Sequence, residues 1–202
     1  MSIAFGEHEA DPADVRAFFA GKKMKVLTFF GYSGAGYEDP AAMRAAAARV
    51  LDEVDPTTTI VNIGATAEGI GEVYEIAKQR GFFTTGIVST QARDQHVPLS
   101  PYVDVTFFVR DETWGGFLPG RKDPSPTSKA MVENSDALIA IGGGDVVRDE
   151  LSYAQRLGKA VRFIPADMNH AVARAKATRN GQPPPTSFAG SAATLFGAKA
   201  DR

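Results

Sequence analysis

Short apolar runs alternate with amphipathic stretches along this chain, which is the pattern of a parallel sheet covered by helices. Six runs are rich in β-branched or aromatic residues, and several are continuously apolar, as strands buried on both faces require. They lie at residues 24–30, 59–63, 84–88, 104–109, 137–141 and 160–164. The pattern predicts an α/β fold, a Rossmann-like open parallel sheet with helices on both faces.

Helical signals separate these runs. The first begins at Asp39, a favourable N-cap residue, with Pro40 at the first helical position. Two later helices end at Gly81 and Gly158, because glycine readily adopts the backbone conformation that terminates a helix. The predicted helices cover residues 40–54, 68–80, 146–157 and 167–178.

Length and loop composition predict a single domain over residues 1–202, with three segments outside the regular alternation. Residues 1–22 are predicted to be an N-terminal extension, and residues 111–128 a loop too long and too rich in Gly and Pro for a simple connector. Residues 182–202 form a C-terminal tail. Its Phe188, Leu195 and Phe196 either dock on the body or on a second subunit, or the tail is a partly ordered terminus.

The charge balance of the chain limits the kinds of binding partner that we expect. With 22 basic and 24 acidic side chains the net charge is -2, so we expect neither nucleic acid nor a membrane surface as a partner. A small anionic ligand remains compatible, because backbone amides bind phosphate without net positive charge.

The chain contains no cysteine, which excludes disulfides and thiolate chemistry and fits a reducing compartment. The beginning of the sequence lacks an apolar signal core, and no run approaches the roughly 20 apolar residues that span a bilayer. We therefore expect a soluble, cytoplasmic protein. The spacing of its three histidines predicts no metal site.

Glycine-rich segments follow three of the predicted strands, at residues 31–40, 64–71 and 142–150. A strand that ends in glycines before a helix leaves free backbone N–H groups at the positive end of the helix dipole, where phosphate binds. Carboxyl ends of parallel strands meet at one edge of an open sheet, so the three segments are expected to form one ligand site. The segment at residues 64–71 alone is equally compatible with a tight structural turn, whereas a structural turn would rarely need the three consecutive glycines of residues 142–144. The dinucleotide fingerprint and the P-loop lysine are absent.

Glu150 falls in the first turns of the helix after the triple glycine of residues 142–144. A carboxylate there can act as a base or bind a ribose hydroxyl. The alternative is a solvated helix residue that complements the charge of the helix N-terminus.

The order of these blocks resembles the superfamily that unites Lonely Guy-type phosphoribohydrolases, long misnamed lysine decarboxylases, with the Rossmann domain of the DNA-processing protein DprA. VLTFFGYSGAGYEDP resembles the family's first strand and glycine-serine loop, and IVNIGATAEGIGEVYEIAKQRGFFTTGIV its strand, glycine turn, helix and next strand. SDALIAIGGGDVVRDEL resembles S-D-A-F-I-A-L-P-G-G-x-G-T-x-x-E-L without a gap. There Gly143 and Gly144 match the paired glycines and Glu150 the catalytic glutamate.

The chain also departs from the family. Gly142 replaces its proline, a Val-Val pair at residues 146–147 replaces its G-T pair, and Thr66 stands in its first glycine triplet. The catalytic arginine has no clear counterpart; the nearest text retains at most Lys129, and Arg121 in the long loop is another candidate cation. Arg and Lys are not equivalent at such a site.

The resemblance implies a nucleotide- or phosphoribosyl-binding protein that hydrolyses the N-glycosidic bond of a nucleoside 5′-monophosphate or a related compound, with Glu150 as the catalytic residue and no cofactor. Trp114 either stacks on a base or closes the site, or it packs beneath the long loop as a hydrophobic plug. The predicted phosphate-binding residues are Gly31, Ser33, Gly64, Thr66, Gly69, Gly143 and Gly144. The departures leave a non-catalytic nucleotide sensor or binding module as the alternative, and an assembly protein without a working site as a third. The family's habit of pairing through helices beside the site implies a homodimer.

Overall fold

A computed structural model describes residues 6–197 and shows a seven-stranded sheet. The strands are β1 Gly6–Ala10, β2 Lys25–Gly31, β3 Thr59–Ile63, β4 Phe83–Ser89, β5 Val105–Val109, β6 Ala137–Ile141 and β7 Ala160–Ile164. All six neighbouring pairs are parallel, in the order β1-β5-β4-β3-β2-β6-β7. The predicted Rossmann-like α/β class is confirmed.

Helices cover both faces of the sheet. They are α1 Pro12–Lys22, α2 Pro40–Leu51, α3 Val73–Gln79, α4 Gln91–Asp94, α5 Pro126–Glu133, α6 Asp145–Arg156, α7 His170–Arg179 and α8 Gly190–Phe196, and a 3-10 turn, Gly69–Glu72, leads into α3. One apolar core lies between the sheet and α1, α5, α6 and α8, and a second lies beneath α2 and α3. Asp39 caps α2 as predicted, since its side chain accepts the backbone N–H of Ala42 at 2.8 Å.

Residues 6–22, which we expected to belong to an N-terminal extension, form β1 and α1. β1 pairs with β5 at the edge of the sheet, and its outer residues stay largely exposed, which explains its charged sequence. Helix α1 buries Val15, Phe18 and Phe19 at helical spacing. The strand was missed because an exposed edge strand lacks a continuous apolar run.

The segment after α7 docks on the body. Phe196 is buried beside Phe163, with ring centroids 6.3 Å apart, and Phe188 stacks on His170 at 3.9 Å. Leu195 remains 52% exposed. Of the two readings of the tail, docking is correct for the described residues; residues 198–202 lie outside them.

Between residues 6 and 197 no helix is long and apolar enough to cross a membrane. The long loop is shorter than expected, because its last residues belong to α5, which Ser125 caps. The Ser-Pro sequence that suggested a loop is the N-cap and first position of this helix.

Candidate functional site

The three glycine segments lie together at one edge of the sheet. β2 sits between β3 and β6, and the chain proceeds from β2 through β3 and β4 to one side but through β6 and β7 to the other. The carboxyl ends of β2 and β6 therefore flank the topological switch point, where open α/β sheets bind ligands.

Hydrogen bonds join the three turns to one another. The backbone N–H of Ile70 donates to the carbonyl of Tyr32 at 2.7 Å, which ties the second turn to the first. Tyr37 donates its hydroxyl to the carbonyl of Ile141 at 2.8 Å and accepts the N–H of Tyr32 at 3.2 Å, which ties the first turn to β6. Burial raises the pKa of Tyr37 well above its ordinary value, so this hydroxyl stays a donor.

Apart from Gly36, whose positive φ of +63° itself favours glycine, the glycines of the turns fall into two groups. At one group an added Cβ would collide with protein atoms; at Gly142, where φ is +61°, it would lie 2.6 Å from the ring of Tyr32 and 2.7 Å from the carbonyl of Ala166. This group is Gly31, Gly69, Gly71, Gly142 and Gly143. Packing between the turns is thus sufficient reason for these glycines.

At the second group the space beyond the backbone is open. A Cβ on Gly34 or Gly144 would meet nothing within 4 Å, and one on Gly64 only the carbonyl of Ile87 at 4.0 Å. None of the three needs a positive φ. One such glycine lies in each of the three turns, so each turn presents bare backbone.

The other predicted phosphate ligands occupy the rim. Ser33 is exposed in the first turn. Thr66 is half-buried, with its hydroxyl 3.4 Å from both the N–H and the carbonyl of Glu68, and its backbone bridges to Leu99. Both remain predictions as ligand contacts.

Helix α6 begins directly after the bare backbone of the third glycine turn. Gly144 is its N-cap and supplies no side chain to the free N–H groups of the first turn. Arg148 lies one turn further along, where its guanidinium contacts Asp145 at 2.8 Å and Asp149 at 2.9 Å. Sequence reasoning missed this cation, although its position in the first turn after the glycines was a signal.

The segment before and within α8 closes the β7 side of this turn. The N–H of Ala192 donates to the carbonyl of Gly143 at 3.1 Å, and the hydroxyl of Ser191 donates to Asp145 at 2.7 Å. Tyr32 reaches the carbonyls of Ala166 and Phe188 at 3.3 and 3.4 Å. The tail thereby positions the turn that the sequence singled out.

Glu150 lies in the second turn of α6 and is only 5% exposed, which excludes the solvated helix residue. Its Oε1 accepts the hydroxyl of Ser128 at 2.6 Å. Burial raises the pKa of Glu150 to about 8, with a smaller upward contribution from the charge of Asp149, while the Ser128 bond lowers it. The carboxyl group is therefore largely protonated at neutral pH.

The long loop covers this carboxyl group. Gly115 and Gly116, with φ of +119° and +82°, carry the backbone past it so closely that a Cβ on Gly115 would lie 3.6 Å from Oε1 of Glu150. Gly116 donates its N–H to Ser128 at 2.7 Å, and Phe117 donates to Asp149 at 3.0 Å. The loop is fastened to α5 and α6 at the point where it crosses Glu150.

Asp111 fixes the beginning of the loop. Its carboxylate is buried and accepts the backbone N–H groups of Thr113 at 2.8 Å and of Thr127 at 2.9 Å. Although burial raises the pKa of Asp111, its several hydrogen bonds outweigh this and the net pKa is lowered, so the group stays charged. Asp111 caps and fixes the loop.

The remaining loop candidates, Trp114, Arg121 and Lys129, stay predictions as ligand contacts. Trp114 precedes the glycine crossing and is 48% exposed, so it does not plug the loop. Arg121 is exposed, and Lys129 points along α5 toward Glu133 at 4.0 Å. None of the recorded contacts of these cations involves Glu150.

A separate groove of about 480 Å³ runs between α2 and the segment after β7. Carboxylates of Glu38, Asp39 and Asp167 line it, with Arg49 as the basic residue. None of the predicted site residues lines this groove, and its acidic walls are unsuited to a phosphate. Within residues 6–197 no group of three or more His, Asp or Glu side chains is arranged to hold a metal ion.

No protein-family model and no curated protein matches this sequence at a significant level. Solved structures do resemble it. The molybdenum cofactor carrier protein of Chlamydomonas reinhardtii is 19% identical with a TM-score of 0.50, over 69% of this chain and 76% of that one. The structural genomics target TM1055 is 22% identical with a TM-score of 0.50, over 68% and 72%. The molybdenum cofactor binding protein of the phototrophic bacterium Rippkaea orientalis is 16% identical with a TM-score of 0.51, over 78% and 85%. This likeness shows the fold.

Proposed function

We propose that this protein binds a phosphorylated small molecule of the nucleotide or phosphoribosyl class at the carboxyl ends of β2, β3 and β6. The observation that carries the proposal is the bare backbone at Gly34, Gly64 and Gly144, one glycine in each turn at the switch point. A packing role does not account for these three glycines, whereas close approach of a ligand to the backbone does.

The chemistry of this edge suits an anion. The first turn of α6 offers N–H groups at the positive end of a helix dipole, and the guanidinium of Arg148 is paired with the carboxylates of Asp145 and Asp149, whose negative charge it offsets. Burial raises the pKa of Glu150 to about 8, so this carboxyl group adds little further negative charge at neutral pH. An overall net charge of -2 does not oppose such a local site.

The comparisons support binding more directly than catalysis. Two of the similar structures are named for carrying or binding the molybdenum cofactor, and the sequence resemblance favours nucleotides. Both kinds of relative hold their ligand on the same fold, so a carrier or sensor role is consistent with a site that lacks the family's arginine.

Isothermal titration calorimetry with nucleoside 5′-monophosphates, ribose 5-phosphate, inorganic phosphate and the molybdenum cofactor tests the proposal. We expect at least one phosphorylated compound to bind more tightly than inorganic phosphate. Gly144→Ala should then bind it at least about tenfold more weakly, because the new methyl group separates the phosphate from charge-assisted N–H donors.

Gly21→Ala is the matched control. Gly21 lies in α1, outside the three glycine turns, its Cβ space is open and its φ is not positive, so binding should be unchanged. Absence of binding across the panel, or equal affinity of Gly144→Ala and Gly21→Ala, contradicts the proposed site.

The second candidate function is hydrolysis of an N-glycosidic bond, and the observation that favours it is the burial of Glu150, which raises the pKa of its carboxyl group. A carboxylic acid kept neutral near pH 7 can donate a proton to a departing base. Incubation with nucleoside monophosphates and chromatography for free base tests it. We expect release by the wild type and at least about a hundredfold less by Glu150→Gln, the loss of one general acid. Binding without release of base contradicts the hydrolase and leaves the binding function standing.

A further inference from the structure

A directed chain of hydrogen bonds connects the long loop to the buried carboxyl group. The backbone N–H of Gly116 donates to Oγ of Ser128 at 2.7 Å, and Ser128 donates its own proton to Oε1 of Glu150 at 2.6 Å. An amide N–H can only donate, so Oγ must accept from Gly116 and its single proton is available to Glu150. Donation to Oε1 gives this buried proton an acceptor, so the chain runs from the loop through Ser128 to Glu150.

We propose that Ser128 is a positioning residue, which orients the carboxyl group of Glu150 and couples it to the crossing of the long loop at Gly115 and Gly116. The inference rests on the proposed role of Glu150 at the ligand site and adds a residue that no sequence motif indicated. Ser128 is 1% exposed and has no route to a ligand in this conformation, so it acts through Glu150.

Donation from Ser128 to Oε1 has a consequence for the two carboxyl oxygens of Glu150. Because Oε1 accepts from Ser128, a proton on the neutral carboxyl group resides on Oε2. Ser128 thus leaves one oxygen of Glu150 as the donor toward a ligand.

A second link ties the loop to the same helix turn. Asp149, the neighbour of Glu150, accepts the N–H of Phe117, the neighbour of Gly116. Two adjacent residues of α6 thereby hold two adjacent residues of the loop, one directly and one through Ser128. When the loop leaves, Glu150 loses its cover and Ser128 loses its donor together.

The glycines are necessary for this arrangement. Both have positive φ, and a Cβ on Gly115 would lie 3.1 Å from Oγ of Ser128, which is tighter than ordinary contacts. Only glycine lets the backbone cross within hydrogen-bonding distance of Ser128.

Two variants separate positioning by Ser128 from burial by the loop. Ser128→Ala removes the bond that lowers the pKa of Glu150, so that pKa should rise; Asp149→Asn removes the charge that raises it, so it should fall. Carboxyl ¹³C NMR titration of Glu150 measures both, and it requires no substrate. Ser128→Ala also removes the acceptor of the Gly116 N–H, so exchange there should become about tenfold faster, the equivalent of one hydrogen bond. Asp149→Asn keeps an oxygen that can accept the Phe117 N–H, so exchange at Phe117 should stay nearly unchanged.

Ser152→Ala is the matched control, because Ser152 lies on α6 and its hydroxyl donates to the carbonyl of Arg148 at 2.7 Å, within the same helix. It should change neither the Glu150 titration nor the loop exchange. Ser128→Cys, which keeps a weak donor of similar shape, should raise the pKa of Glu150 less than Ser128→Ala, and it carries the test if the alanine variant does not fold.

An unchanged or lowered pKa of Glu150 in the Ser128 variants overturns the inference, since loop exposure would then govern the carboxyl group. Titration shifts in the expected directions without any ligand found for the protein leave the coupling intact while the proposed function fails. Where turnover is found, the basic limb of the kcat profile should follow the NMR pKa in each variant.

Discussion

Replacement of Glu150 by Gln changes how the stability of the protein depends on pH. Glutamine keeps the shape of the side chain and can still accept the hydroxyl proton of Ser128, but it is neutral at every pH. The wild-type carboxyl group has an ordinary pKa of 4.5 when the chain is unfolded and a pKa of about 8 in the folded protein. The variant removes this difference.

The sign and size of the effect follow from the two values. Between pH 4.5 and about 8 the unfolded chain releases the proton while the folded protein retains it, so folding becomes less favourable as pH rises. Each pH unit in this window costs the wild type about 1.4 kcal/mol at this site. The total has an upper limit of roughly 5 kcal/mol, and relaxation of the buried site reduces it.

Urea denaturation at pH 5, 6, 7 and 8 measures the free energy of unfolding of the wild type and of Glu150→Gln. The variant should gain on the wild type steadily from pH 5 to pH 8. Glu112→Gln is the matched control, because Glu112 is exposed in the long loop that crosses Glu150, and this variant should show no such trend. A difference between Glu150→Gln and wild type that stays constant over this range refutes the reasoning, because Glu150 would then already be ionised in the folded protein.

Three further changes test the packing that supports the site, each by the shift in denaturant midpoint. Gly142→Ala should lower the free energy of unfolding by about 1–2 kcal/mol because of the left-handed backbone at this position, and by a further ~1–3 kcal/mol because the new methyl group collides with Tyr32. Gly120→Ala, where φ is +71° and the space is open, should show only the backbone cost, and equal losses in the two variants contradict the collision. Tyr74→Phe should cost about 1–3 kcal/mol, because it removes the buried hydroxyl that donates to the carbonyl of Thr85 at 2.8 Å and accepts the N–H of Ala65 at 3.2 Å, and a loss near zero contradicts these bonds. Phe196→Ala should cost about 3–5 kcal/mol by opening a cavity beside Phe163, and a loss below about 1 kcal/mol contradicts docking of the tail.

The sheet was largely predictable because a doubly covered parallel strand must be apolar throughout. β3, β6 and β7 have the predicted bounds, and β2, β4 and β5 differ from theirs by one residue at one or both ends. β1 escaped because an edge strand needs no apolar run, and α5 because its capping Ser-Pro sequence resembles a loop. A local sequence pattern reveals an element through the apolar residues that it buries. β1 buries few residues, and α5 begins with a Ser-Pro sequence that is also common in loops.

The meeting of the glycine turns was also predictable, since it follows from strand order. Which glycines serve packing was not. A Cβ on Gly69 would collide with Tyr32, and one on Gly143 with Val147, and the sequence pattern indicates neither contact. Gly64 and Gly144 occur in the same kind of sequence pattern but face open space. The burial of Glu150 was hidden for the same reason, because the backbone that covers it comes from a loop 34 residues earlier in the chain at Gly116.

A buried, protonated Glu150 has a definite consequence for both candidate functions. For binding, a neutral carboxyl group that accepts from Ser128 and can donate through its other oxygen is equivalent to an amide, so Glu150→Gln should keep the ligand. For hydrolysis, the amide has no proton of suitable acidity to give to a leaving base, so the same variant should lose turnover. Glu150→Gln therefore distinguishes the binding function, which it should preserve, from the hydrolytic function, which it should abolish. The long loop passes so close to Glu150 that a Cβ on Gly115 would lie 3.6 Å from its Oε1, and the bonds that hold the loop there end on Ser128 and Asp149.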